Sequence, residues 1–301
     1  MDLAALKKIS MWQTCLTLGH FDGVHRGHQA VIDRLVKIGS ERQLAPVLIS
    51  FDHDEADSGT ACLTSEAEKR LLLRNSGLRA MISVKPDDTD IADLLQRAVR
   101  QLDAKVIVAG ENDCRLGLLR ASAAKLGLDL ITCDVVFDDG ESISSGRAAN
   151  ALDARDFQLL SRLLGHPYSI CGEVVYGKQI GRTIALPTAN ISYVKNKHLP
   201  PEGSYGAVTF VSGVPHMGTA NIGRRPTVDV FDYVTVENHL LDFSGDLYGQ
   251  FLRMDLHVPI RGVSKFENLQ ELRTQVAKDI LFVRSQLADI LAMERERSGH
   301  R

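Results

Sequence analysis

His25 and His28 stand in the stretch Gly19-His20-Phe21-Asp22-Gly23-Val24-His25-Arg26-Gly27-His28-Gln29, where three histidines and three glycines share eleven residues. Two imidazoles at H-x-G-H spacing, on a glycine turn between an apolar run and a helix, suit phosphate chemistry. Glycines let a backbone approach a phosphate, and a helix N-terminus offers free N–H groups and the positive end of a dipole. His25 and His28 can there donate hydrogen bonds to a triphosphate as charge builds at the attacked phosphorus. Positioning and electrostatic stabilisation carry most such catalysis, with no covalent intermediate. Two readings compete. Metal ligation lacks the cysteine or carboxylate spacing that completes a zinc shell, and histidines that merely cap a helix need no chemistry at all.

The elements that must position this turn alternate. Short apolar runs at Thr14–Leu18, Pro46–Phe51, Ala80–Val84, Val106–Ala109 and Leu130–Val136 read as buried strands. Helical periods lie between them: His28–Ser40 with Val31, Leu35 and Ile38 on one face, a capping box at Ser65-Glu66-Ala67-Glu68, and Ile91–Leu102. Strands alternating with helices predict an α/β, doubly wound, Rossmann-like parallel sheet, whose ligands bind outside the carboxyl ends of the strands. The H-x-G-H turn falls there.

A further helix is expected at Ala154–Leu164, followed by Gly165-His166-Pro167, and then the rhythm changes. Tyr168–Val175, Gly206–Phe210, His216–Ile222, Thr235–Phe243 and Phe251–Val258 are extended runs parted by Gly, Pro and Asp, as in an antiparallel barrel. One long helix, Asn268–Met293, closes the chain, with Leu269, Leu272, Val276, Ile280, Val283, Leu287 and Leu291 as an apolar stripe expected to pack on the barrel, with dimerisation the alternative. Two domains are therefore expected, 1–165 and 166–301.

The 301 residues carry a net charge of −3, too mild for a global field that recruits nucleic acid or an acidic membrane. An anion site must be built locally. Cys15, Cys62, Cys114, Cys133 and Cys171 lack CxxC spacing and read as buried free thiols of a reducing compartment. The first residues are too charged for a secretory signal and no apolar run approaches about 18 residues, so a cytoplasmic protein is expected. Oligomeric state leaves no mark in the sequence.

H-x-G-H after a strand resembles the nucleotidyltransferase superfamily, and GHFDGVHRGHQ is close to its form in the bacterial bifunctional riboflavin kinase/FMN adenylyltransferases. Gly181-Arg182-Thr183-Ile184-Ala185-Leu186-Pro187-Thr188-Ala189-Asn190-Ile191 is similar to that family's GR-x-x-G-F-PTAN motif. Asn221-Ile222-Gly223-Arg224-Arg225-Pro226-Thr227 matches its N-x-G-x-RPT element, and Glu237-Asn238-His239-Leu240-Leu241-Asp242-Phe243 with Asp246-Leu247-Tyr248-Gly249 resembles E-x-HLLDF…DLYG. Lys265-Phe266 and Asp279 fit its last helix.

The resemblance implies a riboflavin kinase in 166–301, moving the ATP γ-phosphoryl to the ribityl 5′-hydroxyl of riboflavin to give FMN. It implies Glu237 as the base that takes the hydroxyl proton. Thr188 and Asn190 would hold Mg2+ through neutral oxygens, which suit a hard cation. Gly172, Gly177, Gly181, Arg182 and Pro187 would surround the ATP phosphates, and Arg224, Leu247 and Tyr248 the flavin. Small molecules, ATP, riboflavin and FMN, are the expected partners.

In 1–165 the resemblance implies an FMN adenylyltransferase joining FMN and ATP into FAD and pyrophosphate. His25 and His28 are its catalytic pair, with Gly19, Phe21, Asp22, Gly23, Ser144 and Ser145 around the nucleotide and Asp113 beside the flavin. This half departs from the pattern at three places. TFDPHP becomes Ser50-Phe51-Asp52-His53-Asp54-Glu55, and G-x-DF-x-FG becomes Gly110-Glu111-Asn112-Asp113-Cys114-Arg115-Leu116-Gly117, without its aromatics. ISST-x-IR becomes Ile143-Ser144-Ser145-Gly146-Arg147-Ala148-Ala149, with alanine where a phosphate-binding arginine is expected. Arg147 lies two positions away, on another side of a helix. A kinase with a weak or vestigial first half is thus the alternative to a bifunctional enzyme, and a non-catalytic flavin-binding regulator a remoter one.

Overall fold

The computed structural model describes residues 12–52, 61–85, 90–177, 187–224, 234–264 and 266–299. The chain packs as two compact units, residues 1–148 with 163–165, and residues 149–162 with 166–301.

In the first unit five parallel strands, β1 (Thr14–Gly19), β2 (Ala45–Phe51), β3 (Ala80–Val84), β4 (Ala104–Gly110) and β5 (Asp129–Cys133), lie in the order β3-β2-β1-β4-β5. Successive side chains of β1 face opposite ways. Cys15 packs with Leu35 and Ile38 of α1 (Arg26–Arg42), whereas Leu16 and Leu18 pack with Leu94, Leu95 and Ala98 of α3 (Ile91–Leu102) and with Leu119 and Ala123 of α4 (Leu116–Leu126). Helix α2 (Glu66–Leu72) opens with the expected capping box, Ser65 and Glu68 bonding each other's backbone N–H groups. The chain leaves β1 toward β2 on one side, and β4 returns on the other. That switch point brings the loops after β1 and β4 together at the carboxyl edge. A small hairpin, β6 (Phe137–Asp138) and β7 (Glu141–Ser142), precedes α5 (Ser145–Asp153) and α6 (Phe157–Leu164). The single helix expected from Ala154 starts only at Phe157, after a turn with Arg155 at φ 57°.

The second unit is a closed antiparallel barrel of β8 (Tyr168–Val175), β9 (Ala189–Ser192), β10 (Gly203–Val211), β11 (Val214–Arg224), β12 (Val234–Leu240) and β13 (Phe251–Gly262), in the order β10-β11-β12-β9-β8-β13. Residues 149–162 pack with it: the Phe157 ring lies 5.6 Å from Tyr205, and Arg155 Nη2 donates to the Glu202 carbonyl at 2.6 Å. Helix α7 (Leu269–Gly299) covers the barrel with Val283 and Leu287, against Val208 and Leu241. Gly206 gives it room, since a Cβ there would stand 3.3 Å from Val283 Cγ2 and 3.4 Å from Leu287 Cδ1. The stripe is core from Val283 to Leu291 and half-buried at Leu272, Val276 and Ile280, but Leu269 is 61% exposed.

Four of the five cysteines are buried and all are free, but Cys114 is exposed on the loop after β4. No helix among the described residues is long and apolar enough to cross a membrane.

Candidate functional site

At the end of β1 the chain turns through Asp22–Val24, a single 3-10 turn with Phe21, Gly23 and Val24 in the left-handed region at φ 50°, 78° and 41°. Glycine adopts this freely; phenylalanine and valine do so at a cost that the surrounding contacts must cover. Asp22 supplies them. Its carboxylate accepts from the backbone N–H groups of Leu63 and Thr64 at 3.1 and 2.9 Å, and Thr64 Oγ1 in turn accepts from Gly23 N–H at 2.8 Å. Expected beside the nucleotide, Asp22 spends both carboxylate oxygens on the scaffold.

His25 is the N-cap of α1: its Nδ1 accepts from the backbone N–H of His28 at 3.3 Å, which puts its own proton on Nε2. The two imidazoles stack, centroids 3.6 Å apart and planes 16° apart. Gly27 makes this possible, since a Cβ there would stand 3.1 Å from the His25 ring. The capping reading is thus true of His25. Burial pushes His25 down to about 4, against the pull of the Asp22 carboxylate. Burial also holds His28 well below the ordinary histidine value, and His25, Lys69, Arg115 and His20 push the same way. Both rings are therefore neutral near pH 7.

A cavity of about 320 Å³ opens over this turn, lined by Gly19, Phe21, Asp22, His25 and His28, by Ser144 and Ser145, and by Asp113 and Arg115. Ser145 Oγ donates to the Asp22 carbonyl at 2.8 Å, and Ser144 Oγ accepts from Arg147 N–H at the start of α5. Arg147 turns away to the hairpin, pairing with Asp138 and Glu141, and does not line the cavity. The arginine that does so is Arg115, which sequence reasoning passed over. Asp113 grips its fork, Oδ1 from Nε at 2.9 Å and Oδ2 from Nη2 at 2.7 Å. Burial pushes the Asp113 carboxyl up, but Arg115 outweighs it and holds the group below the usual carboxylate range. Lys69 was also passed over; it is buried, with Nζ on Ser50 Oγ at 3.1 Å.

In the barrel, Glu237 on β12 pairs in register with Asn190 on β9 and Asn221 on β11. Its Oε2 accepts from Thr188 Oγ1 at 3.3 Å. Two cavities meet here and share Thr188 and Asn190. One, about 420 Å³, is lined by Glu237, Asn221, Arg224, His239, Arg261 and Phe266. The other, about 640 Å³, is lined by Tyr176, Pro187, Phe243, Leu247 and Tyr248. The expected grouping of Leu247 and Tyr248 with Arg224 is not what the fold produces, since β11 and the loop after β12 put them in different cavities. Tyr248 instead stacks on Tyr176, 3.9 Å between centroids. His239 Nδ1–H donates to the Pro187 carbonyl at 2.8 Å, which holds the segment that carries Thr188.

Gly172 lies at neither cavity: it is buried within β8, where any Cβ would overlap the Ser192 carbonyl oxygen, so its smallness serves the closure of β8 on β9. Gly177 sits against the Asn190 side-chain amide, which a Cβ would overlap. Gly181, Arg182, His53, Asp54, Glu55, Arg225, Pro226, Thr227 and Lys265 lie outside the described residues. The oxygen set of Thr188, Asn190 and Glu237 suits a hard cation. No three His, Cys, Asp or Glu side chains cluster as metal ligands among the described residues, so phosphate oxygens would have to complete such a shell.

A family model described as riboflavin kinase matches residues 164–287, and one described as FAD synthetase matches residues 8–147. The bifunctional riboflavin kinase/FMN adenylyltransferase of Escherichia coli (strain K12) is 35% identical over 291 residues, covering 89% of this chain and 91% of that protein. The protein of the same name from Pseudomonas fluorescens is 31% identical over 285 residues, with 89% and 91% covered. The crystal structure of a macrolide-efflux protein from Streptococcus pneumoniae shares the fold at TM-score 0.75, with 24% identity and 91% and 94% of the two chains covered. With one matched model on each unit and relatives aligned along nearly the whole length, the chain belongs to the bifunctional riboflavin kinase/FMN adenylyltransferase family.

Proposed function

We propose that the chain carries out both reactions of its family at separate sites, with the division of labour at residue 165. The barrel phosphorylates riboflavin to FMN, and the first unit adenylylates FMN to FAD. The observation that carries the kinase reading is Glu237, which lines one of two cavities sharing Thr188 and Asn190 and accepts from the Thr188 hydroxyl. A base must touch the hydroxyl it deprotonates, so riboflavin belongs in the cavity with Glu237, Arg224 and Arg261, and ATP in the one with Pro187, Leu247 and Tyr248. The γ-phosphoryl then crosses at Thr188 and Asn190. The ribityl oxygen forms its bond to phosphorus, the bond to ADP breaks, and Glu237 takes the proton. Thr188 and Asn190 would hold Mg2+, which when bound would supply positive charge to the phosphates. The Thr188 hydroxyl orients the Glu237 carboxylate.

In the first unit an oxygen of the FMN phosphate attacks the ATP α-phosphorus and pyrophosphate leaves. The stacked His25 and His28, at the N-terminus of α1, meet the charge that develops there. Asp22 and Thr64 hold the strained turn in place. The cytoplasm, where ATP and a reducing poise coexist with free thiols, is the compartment that suits this reading.

Chromatography of products after incubating the purified chain with riboflavin, ATP and magnesium tests both assignments. FMN followed by FAD is expected. FMN alone, even with FMN supplied as substrate, defeats the adenylyltransferase assignment, and neither product defeats both.

A further inference from the structure

We propose that Arg115 binds a phosphate oxygen of the reactants in the first unit, and so supplies the guanidinium that is missing at Ala149. The proposal rests on the reading of this unit as an adenylyltransferase. Arg115 stands on the loop after β4, facing the His25–His28 turn after β1, with both loops at the carboxyl edge of neighbouring strands.

Its guanidinium is fixed on three sides. Asp113 holds Nε and Nη2, Nη2 also donates to the Leu18 carbonyl at 3.2 Å, and the Phe51 ring lies 5.3 Å from Cζ. Gly19 leaves the room, because a Cβ there would come within 3.3 Å of Nη2. Nη1 remains: it is buried and has no hydrogen-bond partner. His28 Nδ1, at the same cavity, is also buried and unpartnered. A buried polar nitrogen without a partner costs free energy in the empty protein, and two at one cavity mark a place where a ligand completes the bonding. Phosphate oxygens do so. The chemistry is a charge-assisted hydrogen bond from a fork that Asp113 has already oriented, so little freedom is lost when the anion arrives. Arg147 cannot take this part while Asp138 and Glu141 hold it.

The test uses the full chain with Arg115→Gln and Arg115→Lys, varying FMN and ATP separately in FAD formation and following riboflavin phosphorylation in the same preparations. Arg115→Gln is expected to lower kcat/KM for FAD formation by about 100-fold and to raise the KM of one reactant. Kinase turnover should stay unchanged and Arg115→Lys should recover part of the loss. A raised KM for FMN identifies a phosphate monoester as the bound group; a raised KM for ATP identifies the triphosphate. Calorimetric titrations of FMN, ATP and riboflavin give a second readout. Weaker binding of FMN or ATP with unchanged riboflavin binding supports Arg115 even where the wild type makes no FAD, an outcome that defeats the adenylyltransferase reading instead. Unchanged KM values and unchanged titrations in Arg115→Gln overturn the proposal.

Discussion

His25 and His28 form a parallel stack 3.6 Å between ring centroids, built on a helix cap in which the backbone of one bonds the ring of the other. Two imidazolium ions do not tolerate that spacing in a buried turn, so the pair carries at most one positive charge without a ligand.

Histidine resonances followed by NMR against pH should therefore show His25 titrating at about 4, and His28 well below the ordinary range. ATP should raise both. Between pH 6.5 and 4 the folded His25 binds fewer protons than the unfolded chain, so its contribution is whole above 6.5 and is lost as pH falls through 4. The loss is about 3 kcal/mol at most. An ordinary titration near 6.5 for both rings would contradict the stacked, buried arrangement.

Gly27→Ala would ordinarily gain helix propensity, by up to about 1 kcal/mol. Here the new methyl stands 3.1 Å from the His25 ring and must shift it by a few tenths of an ångström, which disturbs its stack on His28. We expect FAD formation to fall at least tenfold, with riboflavin phosphorylation intact. Steady-state rates of the two reactions in one preparation check this, and equal FAD turnover would remove the stack from the account.

Asp22→Ala should act as a scaffold mutation. It strips the acceptors from two backbone N–H groups beside buried Leu63 and Thr64, at a cost of about 2 kcal/mol. Calorimetry should show a lowered melting temperature, and kinase rates below that temperature should be unchanged. A KM for ATP that rises with no change in melting would return Asp22 to direct nucleotide contact.

Asp279 on α7 holds Arg261 at 3.0 Å beside the Phe266 ring, on the wall of the Glu237 cavity. Asp279→Ala leaves that arginine unpaired with only 22% of its side chain exposed, at a cost of about 2 kcal/mol. The KM for riboflavin should rise more than the KM for ATP in the kinase reaction. The reverse order would exchange the two cavity assignments.

Much of this was legible because local pattern and chemistry coincide. The apolar run Thr14–Leu18 before a glycine turn fixes the end of β1, and Ser65 with Glu68 announces α2 by the bonds that cap it. Leu116–Leu126 is a helix that periodicity does not announce, since Leu, Gly, Ala and Ser fill it with little polar contrast. β9 is four residues long, below what alternation can declare. Arg115 was hidden for a different reason: its partners Leu18 and Phe51 are far away in sequence, and only the β1–β4 pairing and the β1–β2 pairing bring them together. The separation of Arg224 from Tyr248 is likewise a property of barrel closure, which no motif records.

If one chain holds two independent sites, Glu237→Gln and His28→Ala must each lose one product and keep the other. Glu237→Gln, given riboflavin, ATP and magnesium, should form FMN about 100-fold or more slowly, yet convert supplied FMN to FAD at the wild-type rate. His28→Ala should make FMN normally and stop there. Loss of both reactions in either correctly folded variant, or FAD formation undiminished in His28→Ala, would contradict the account.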